Sequence, residues 1–181
     1  QGGVYAFFMT ADHLNDDLVE NQADTGAQEA TSHIEAQDDG QWHHWMLFSD
    51  VSNPENAKLY IDGVEQDQAK YENDGSTPNT HSETLIIGAV SSGGGAGRHF
   101  AGSVTNFAVF SNDKTANASS HYNGGIPNKD LSGESGLSGY WKMDENGGTN
   151  VADSSENGND GTIAGGAEWI SFEVSDEGNI K

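Results

Sequence analysis

The chain has 181 residues, enough for one all-β domain with a sizeable core, and its charge excludes several kinds of partner. Its 29 Asp and Glu residues outnumber 7 Lys and Arg residues, which excludes nucleic acids and anionic membrane surfaces because both bind through clustered Lys and Arg. Cysteine is absent, which excludes disulfides, and no apolar run approaches the ~18 residues of a membrane-spanning helix, so membrane insertion is excluded as well.

The first half of the chain predicts strands joined by loops and one tight turn. Residues 4–9 predict a strand because they are β-branched and aromatic, and the polar stretch 11–37 predicts a long surface loop. Strands follow at 42–49 and 57–61. The dipeptide Asp62-Gly63 predicts a two-residue turn into a strand at 64–66, since both central positions of such a turn need φ > 0.

The second half continues the pattern of short strands. The predicted strands lie at 83–88, Gly102–Phe110, 139–143, 161–163 and 169–174, with a glycine-rich connection at 91–97. A single short helix is predicted at 114–122, ended by Asn123 and two glycines. Many short strands with at most one helix are typical of an antiparallel sandwich.

The strand at 42–49 carries apolar residues on both faces. Alternate residues share a face, which gives two sets: Trp42, His44, Met46 and Phe48 on one face, and His43, Trp45 and Leu47 on the other. This predicts an interior strand of its sheet, with one face in the core and the other under a loop or in a concave groove.

Seven short motifs between residues 40 and 161 together match the pattern of one protein family. They are GQWHH (40–44), LYIDG (59–63), LIIG (85–88), FAGSVTNFAVF (100–110), HYNGG (121–125), GYWKMDE (139–145) and VADSSENGNDG (151–161). Together they resemble the laminin-G-like, concanavalin A-type family. The resemblance implies an all-β, two-sheet antiparallel jelly-roll sandwich that serves in binding or adhesion rather than catalysis.

The order of these motifs departs from the family. The GYW and DSS motifs normally open such a domain, whereas here they follow the others. We therefore expect one permuted domain over residues 1–181, in which residues 137–181 supply the usual N-terminal strands. The alternative is a domain at 1–136 followed by the start of a second repeat at 137–181.

An acidic loop near the end of the chain has the spacing of a calcium loop. Oxygen-bearing side chains alternate around a glycine, at Asp153, Ser155, Asn157 and Asp160. The pattern is similar to the first half of an EF-hand loop without its final glutamate, and it predicts a Ca²⁺ site at these residues. The alternative is an Asx-rich turn, in which hydrogen bonds from Asp153 and Asn157 fix only the backbone.

Aromatic platforms with hydrogen-bonding neighbours favour glycan binding. Trp45 with His43 is the candidate platform, and Tyr60 is its expected neighbour across the sheet. The alternative is that the 11–37 loop covers Trp45, which then only packs. His43 and His44 point to opposite faces of the strand, so they cannot share a metal ion.

The sequence lacks the E-x-D-x-x-E strand that the retaining glucanases of this fold carry, so no catalytic residues are predicted and a glycoside hydrolase is disfavoured. We expect a non-catalytic recognition or adhesion module of an extracellular or cell-surface protein, which binds a glycan or another surface ligand. The alternative is a decoration or fibre module on a virion surface, whose partners are neighbouring structural subunits.

Overall fold

Antiparallel strands make up most of the regular structure. A computed structural model describes residues 3–11, 41–49, 58–66, 85–92 and 95–171. The strands in these ranges are β1 (Gly3–Ala11), β2 (His43–Ser49), β3 (Lys58–Ile61), β4 (Val64–Glu65), β5 (Ala89–Ser92), β6 (Gly95–His99), β7 (Gly102–Phe110), β8 (Leu137–Trp141), β9 (Asn150–Val151) and β10 (Gly161–Thr162). The predicted short helix is confirmed as α1 (Ala118–Tyr122), which 3-10 turns at Thr115–Asn117 and Asn123–Gly125 flank.

Six strands form one sheet in the order β4-β3-β2-β1-β7-β8, while β5–β6 and β9–β10 form separate pairs. The prediction that β2 is an interior strand is confirmed, since it pairs with β1 on one side and β3 on the other. In the described part of the chain no helix reaches the length and apolarity needed to cross a bilayer.

Two predicted strands differ from the structure. The strand expected at 83–88 is wrong over 85–88, where Gly88 takes φ +80 and regular pairing begins at Ala89. The glycine-rich stretch at 91–97 instead contributes to the β5–β6 hairpin. Residues 169–171 are not in a strand, and 172–174 lie outside the described residues, as do nearly all of the predicted 11–37 loop and residues 83–84.

The turn between β3 and β4 follows the prediction. Asp62 has φ 52° and Gly63 has φ 77°, so both central residues are left-handed as a two-residue hairpin turn requires. The Asp62 carboxylate also reaches back to β2, where its Oδ1 accepts the N–H of His44 at 2.9 Å. The turn packs against α1, because a Cβ on Gly63 would lie only 2.8 Å from the Ser119 Cα.

Each face of the six-stranded sheet carries a buried cluster. The Met46 face carries the main core cluster, in which helix α1 and the loop after it cover the sheet: Met46, Tyr60, Ala108, Phe110, Ala118, Leu131 and Tyr140. The opposite face, which we call the Trp45 face, carries a second cluster of Phe107, Trp141 and Val151, with Ile87, Ile163 and Trp169 against it. The alternation of β7 and β8 produces this division, since neighbouring residues point to opposite faces.

Strand β8 brings the GYW motif into the same sheet as β2. It pairs with β7, and its Tyr140 shares a core cluster with Met46. A single permuted domain requires this contact, while the extent of that domain over residues 1–181 stays a prediction.

Candidate functional site

The predicted aromatic platform lies on the Trp45 face of β2. His43 Nδ1 lies 2.7 Å from Asp62 Oδ2, and the His43 side chain is 12% exposed. Trp45 is half-buried and pairs with Ile61 on β3. The turn carboxylate thus fixes the imidazole beside the indole, and ligand binding by this pair stays a prediction.

Tyr60 does not join this platform, so the expected grouping with Trp45 is wrong. The register pairs Tyr60 with Met46, which places the ring in the core on the opposite face. A shift of one residue in register moves a side chain to the other face, so the β2–β3 register decides where this ring lies. The Tyr60 hydroxyl donates to Glu65 Oε2 at 2.9 Å, and burial raises its pKa.

The Asp153 loop is held by its own hydrogen bonds. Asp153 Oδ1 accepts the N–H groups of Tyr140 and Ser155 and its Oδ2 accepts that of Asn159, each at 2.9 Å. Burial alone would raise the pKa of Asp153, but hydrogen bonds from Ser155, Asn159 and Tyr140 outweigh it and lower the pKa to about 2. The carboxylate therefore already has three backbone partners.

The other predicted calcium ligands take part in the same turn. Asp160 Oδ1 accepts the Asp153 N–H at 2.9 Å, and Asn157 Nδ2 donates to the Leu137 carbonyl at 3.1 Å and to Ser155 Oγ at 3.0 Å. Calcium takes about six to eight oxygen ligands, and the described residues contain no group of three or more His, Asp or Glu side chains placed to hold a metal. The four residues lie together as predicted, but hydrogen bonds explain their positions without an ion, and calcium binding stays a prediction.

A polar groove of about 390 Å³ opens where β7 runs beside the end of β8. Thr105 Oγ1 and the Asn106 N–H both donate to the Lys142 carbonyl, which ties the two strands together there. Met143 and Ile170 supply apolar lining. The polar and charged side chains around the groove are Asn106, Asn128, Asp130, Lys142, Asp144 and Asn146.

The floor of the groove is a buried hydrogen-bond network around Tyr140. The Tyr140 hydroxyl donates to Asn106 Oδ1, accepts the Leu131 N–H at 3.4 Å and lies 3.0 Å from the Lys129 carbonyl. Asn106 takes φ 56°, and its Nδ2 donates to the same Lys129 carbonyl. Burial raises the pKa of Tyr140 to about 12, so the hydroxyl keeps its proton at neutral pH.

The rim of the groove is charged and fixed by local contacts. Lys142 Nζ lies 3.4 Å from Asp130 Oδ1 and 5.8 Å from the centroid of the Tyr140 ring. The Ser132 N–H donates to the Asp130 carboxylate. This hydrogen bond lowers the pKa of Asp130, and the nearby Lys142 lowers it further. Asn146 Nδ2 donates to the Asp144 carbonyl at 2.7 Å. The side chains of Asp130, Lys142 and Asn146 are therefore oriented before any ligand arrives.

Sequence reasoning missed this groove. Its residues come from β7, from the 127–130 segment, from Tyr140 of β8 with residues 142–146 after it, and from Ile170, so they are far apart in the sequence and meet only in the folded chain. The alternate spacing of Tyr140, Lys142 and Asp144 in the GYWKMDE motif indicates that these side chains share one face, and this pattern could have predicted one wall of the groove.

Comparison with known families decides the class of this fold. The laminin G family model of the concanavalin A-like lectin/glucanases superfamily matches residues 1–118. The chain belongs to this superfamily. The expected concanavalin A-like, all-β fold is thereby confirmed, with antiparallel sheets and one short helix among the described residues.

One solved structure resembles this concanavalin A-like chain. It is a protein from Bacteroides ovatus that is provisionally described as carbohydrate binding, with a TM-score of 0.59 and 19% sequence identity. The match covers 90% of this chain and 52% of that one, so this chain spans about half of its length. At this identity the likeness shows the fold alone. No curated protein sequence matches the chain.

Proposed function

We propose that the chain is a non-catalytic carbohydrate-recognition module that works at an extracellular or cell surface. The observation that carries this proposal is the groove beside β7 and β8, in which local contacts hold the Asn146 amide and the Asp130 carboxylate in place. Superfamily membership supports it, and so does the similarity in fold to a protein provisionally described as carbohydrate binding.

The groove has the size of a small-ligand site. Its volume of about 390 Å³ falls within the range of roughly 300–1,000 Å³ typical of ligand pockets. Amides and carboxylates can make paired hydrogen bonds to neighbouring hydroxyl groups, while Met143 and Ile170 can contact the C–H face of a sugar ring. Polar groups that are held in place lose little entropy on binding, which favours affinity.

The carboxyl groups argue for recognition rather than hydrolysis. A glycoside hydrolase needs a carboxylic acid whose raised pKa keeps it protonated, placed opposite a second carboxylate. The described carboxyl groups with a shifted pKa all shift downward: Glu65, Asp130, Glu134 and Asp153. In the groove, Asp130 is paired with Lys142, which favours its ionised form.

A glycan array with the full chain and single variants tests this proposal. We expect Asp144→Ala and Asn146→Gly to weaken binding of whichever glycan is captured, by about threefold to tenfold for each lost hydrogen bond. Glycine is chosen at position 146 because it accepts the positive φ of 56° there, which alanine would not. Trp45→Phe serves as the matched variant on the Trp45 face. If only this variant loses glycan binding, the binding site is the His43 and Trp45 platform and not the groove.

Other outcomes would replace the proposal. Release of reducing sugar from a captured glycan would make the chain a hydrolase. An empty array together with concentration-dependent self-association would favour the alternative role in a structural assembly.

A further inference from the structure

We infer that the groove selects neutral, hydroxyl-rich glycans and rejects sulfated and uronic acid-containing ones. This inference rests on the proposed function, because it concerns the ligand class of the same groove. It follows from the charges on the rim, from their existing contacts and from the hydrogen-bonding character of the lining.

Among the described residues that line the groove, no cation is left unpaired for an incoming anion. Lys142 is the one cation among the described residues that line the groove, against the two carboxylates of Asp130 and Asp144. Its ammonium group already contacts Asp130 and the Tyr140 ring. A sulfate or carboxylate would have to displace Asp130 from Lys142 and would then lie beside a side chain that is 61% exposed and negatively charged.

The lining is also rich in hydrogen-bond acceptors. Ionised carboxylates accept hydrogen bonds and cannot donate them, so Asp130 and Asp144 need donors on the ligand. Sugar hydroxyl groups supply such donors, whereas sulfate and carboxylate groups add further acceptors. Asn128 and Asn146 can do both, so they complete contacts with hydroxyl groups without changing this preference.

The field of the whole chain acts in the same direction. With a net charge of −22, the protein repels polyanions at long range and slows their encounter with the groove. Salt screens this repulsion within about 8–10 Å, so raised ionic strength should narrow the difference between neutral and anionic ligands.

Affinity electrophoresis of the full 181-residue chain tests the inference with matched ligands. The gels contain dextran, a mixed-linkage β-glucan, a galactan or a mannan, each beside its chemically sulfated derivative. We expect retardation by at least one neutral polysaccharide, and about tenfold weaker binding of its sulfated form at low salt. Raising the salt concentration should reduce that ratio.

Charge-neutralising variants test whether the groove causes the preference for neutral over sulfated ligands. Asp130→Asn keeps an acceptor for Ser132 but releases Lys142, so it should narrow the neutral-to-sulfated ratio by about threefold, as expected for one exposed charge pair. Asp113→Asn is the matched control, because Asp113 is exposed, lies outside the groove lining and loses the same unit of charge. Its ratio should equal that of the wild type.

The outcomes separate the inference from the proposed function. Equal or tighter binding of a sulfated form would overturn the inference and leave carbohydrate recognition standing. The same ratio in Asp130→Asn as in the wild type would also overturn it, since the groove would then not set the preference. If none of the polysaccharides binds, the proposed function and the inference fall together.

Discussion

Removal of the Tyr140 hydroxyl tests whether buried hydrogen bonds hold the groove floor. The side chain is 1% exposed, and its hydroxyl contacts Asn106 Oδ1, the Leu131 N–H and the Lys129 carbonyl. Tyr140→Phe keeps the ring but removes the hydroxyl, so the buried polar groups around it lose a hydrogen-bond partner. A stranded buried donor or acceptor costs about 1–3 kcal/mol, so we expect the free energy of unfolding to fall by about 2–3 kcal/mol.

Urea unfolding followed by tryptophan fluorescence at pH 7 measures this change. For a domain of this size a loss of 2–3 kcal/mol lowers the melting temperature by about 4–12 °C, provided that unfolding is two-state. Tyr122→Phe is the matched control, since Tyr122 is half-buried on α1 and its hydroxyl has no hydrogen-bond partner among the described residues. Should Tyr140→Phe unfold within about 0.5 kcal/mol of the wild type, the hydroxyl would not organise the floor.

Three further changes probe other parts of the molecule. Burial lowers the pKa of His44 to about 3, so between pH 6.5 and 3 the unfolded chain binds a proton that the folded chain does not. The contribution of His44 to the free energy of unfolding should therefore fall by about 2 kcal/mol from pH 6.5 to 4.5, and urea midpoints should show a shallower pH slope for His44→Gln; an equal slope would contradict this. Gly63→Ala should destabilise by about 2 kcal/mol or more, because its Cβ would meet Ser119, whereas Gly148→Ala, also at positive φ but with open space around it, should cost about 1–2 kcal/mol. Equal losses of stability in these two glycine variants would refute the close contact between Gly63 and α1. If the predicted calcium site exists, EDTA should lower the melting temperature by several degrees and Asp153→Asn should abolish that fall; an unchanged melting temperature would show that the hydrogen bonds of Asp153 hold the loop without an ion.

Local signals in the sequence predicted the elements that depend on local chemistry. The Asp62-Gly63 turn needs only two residues that tolerate positive φ, and the short helix needs only its composition and a glycine stop. The interior position of β2 followed from apolar residues on both of its faces. The β5–β6 hairpin was missed because its glycines carry little strand preference.

Features that depend on register could not be predicted in this way. The prediction gave Tyr60 the wrong partners because the face on which it lies depends on the register of β3 against β2, which no local pattern in the sequence fixes. The groove depends on the pairing of β7 with β8 and on a loop that supplies Asp130, more than twenty residues from Asn106. No window of sequence contains that arrangement.

The two outer strands of the six-stranded sheet have a consequence for assembly. An exposed strand edge is a template for pairing with another chain, and short or charged edge strands prevent this. Here β4 is two residues long and carries Glu65 in an ion pair with Lys58. On the far side of β8, Asp153 accepts the Tyr140 N–H and Ser154 donates to the Tyr140 carbonyl, so the loop already occupies the groups a new strand would need. Both margins of the described sheet therefore disfavour β-strand addition, and neighbouring copies or domains would meet this sheet through side chains and loops.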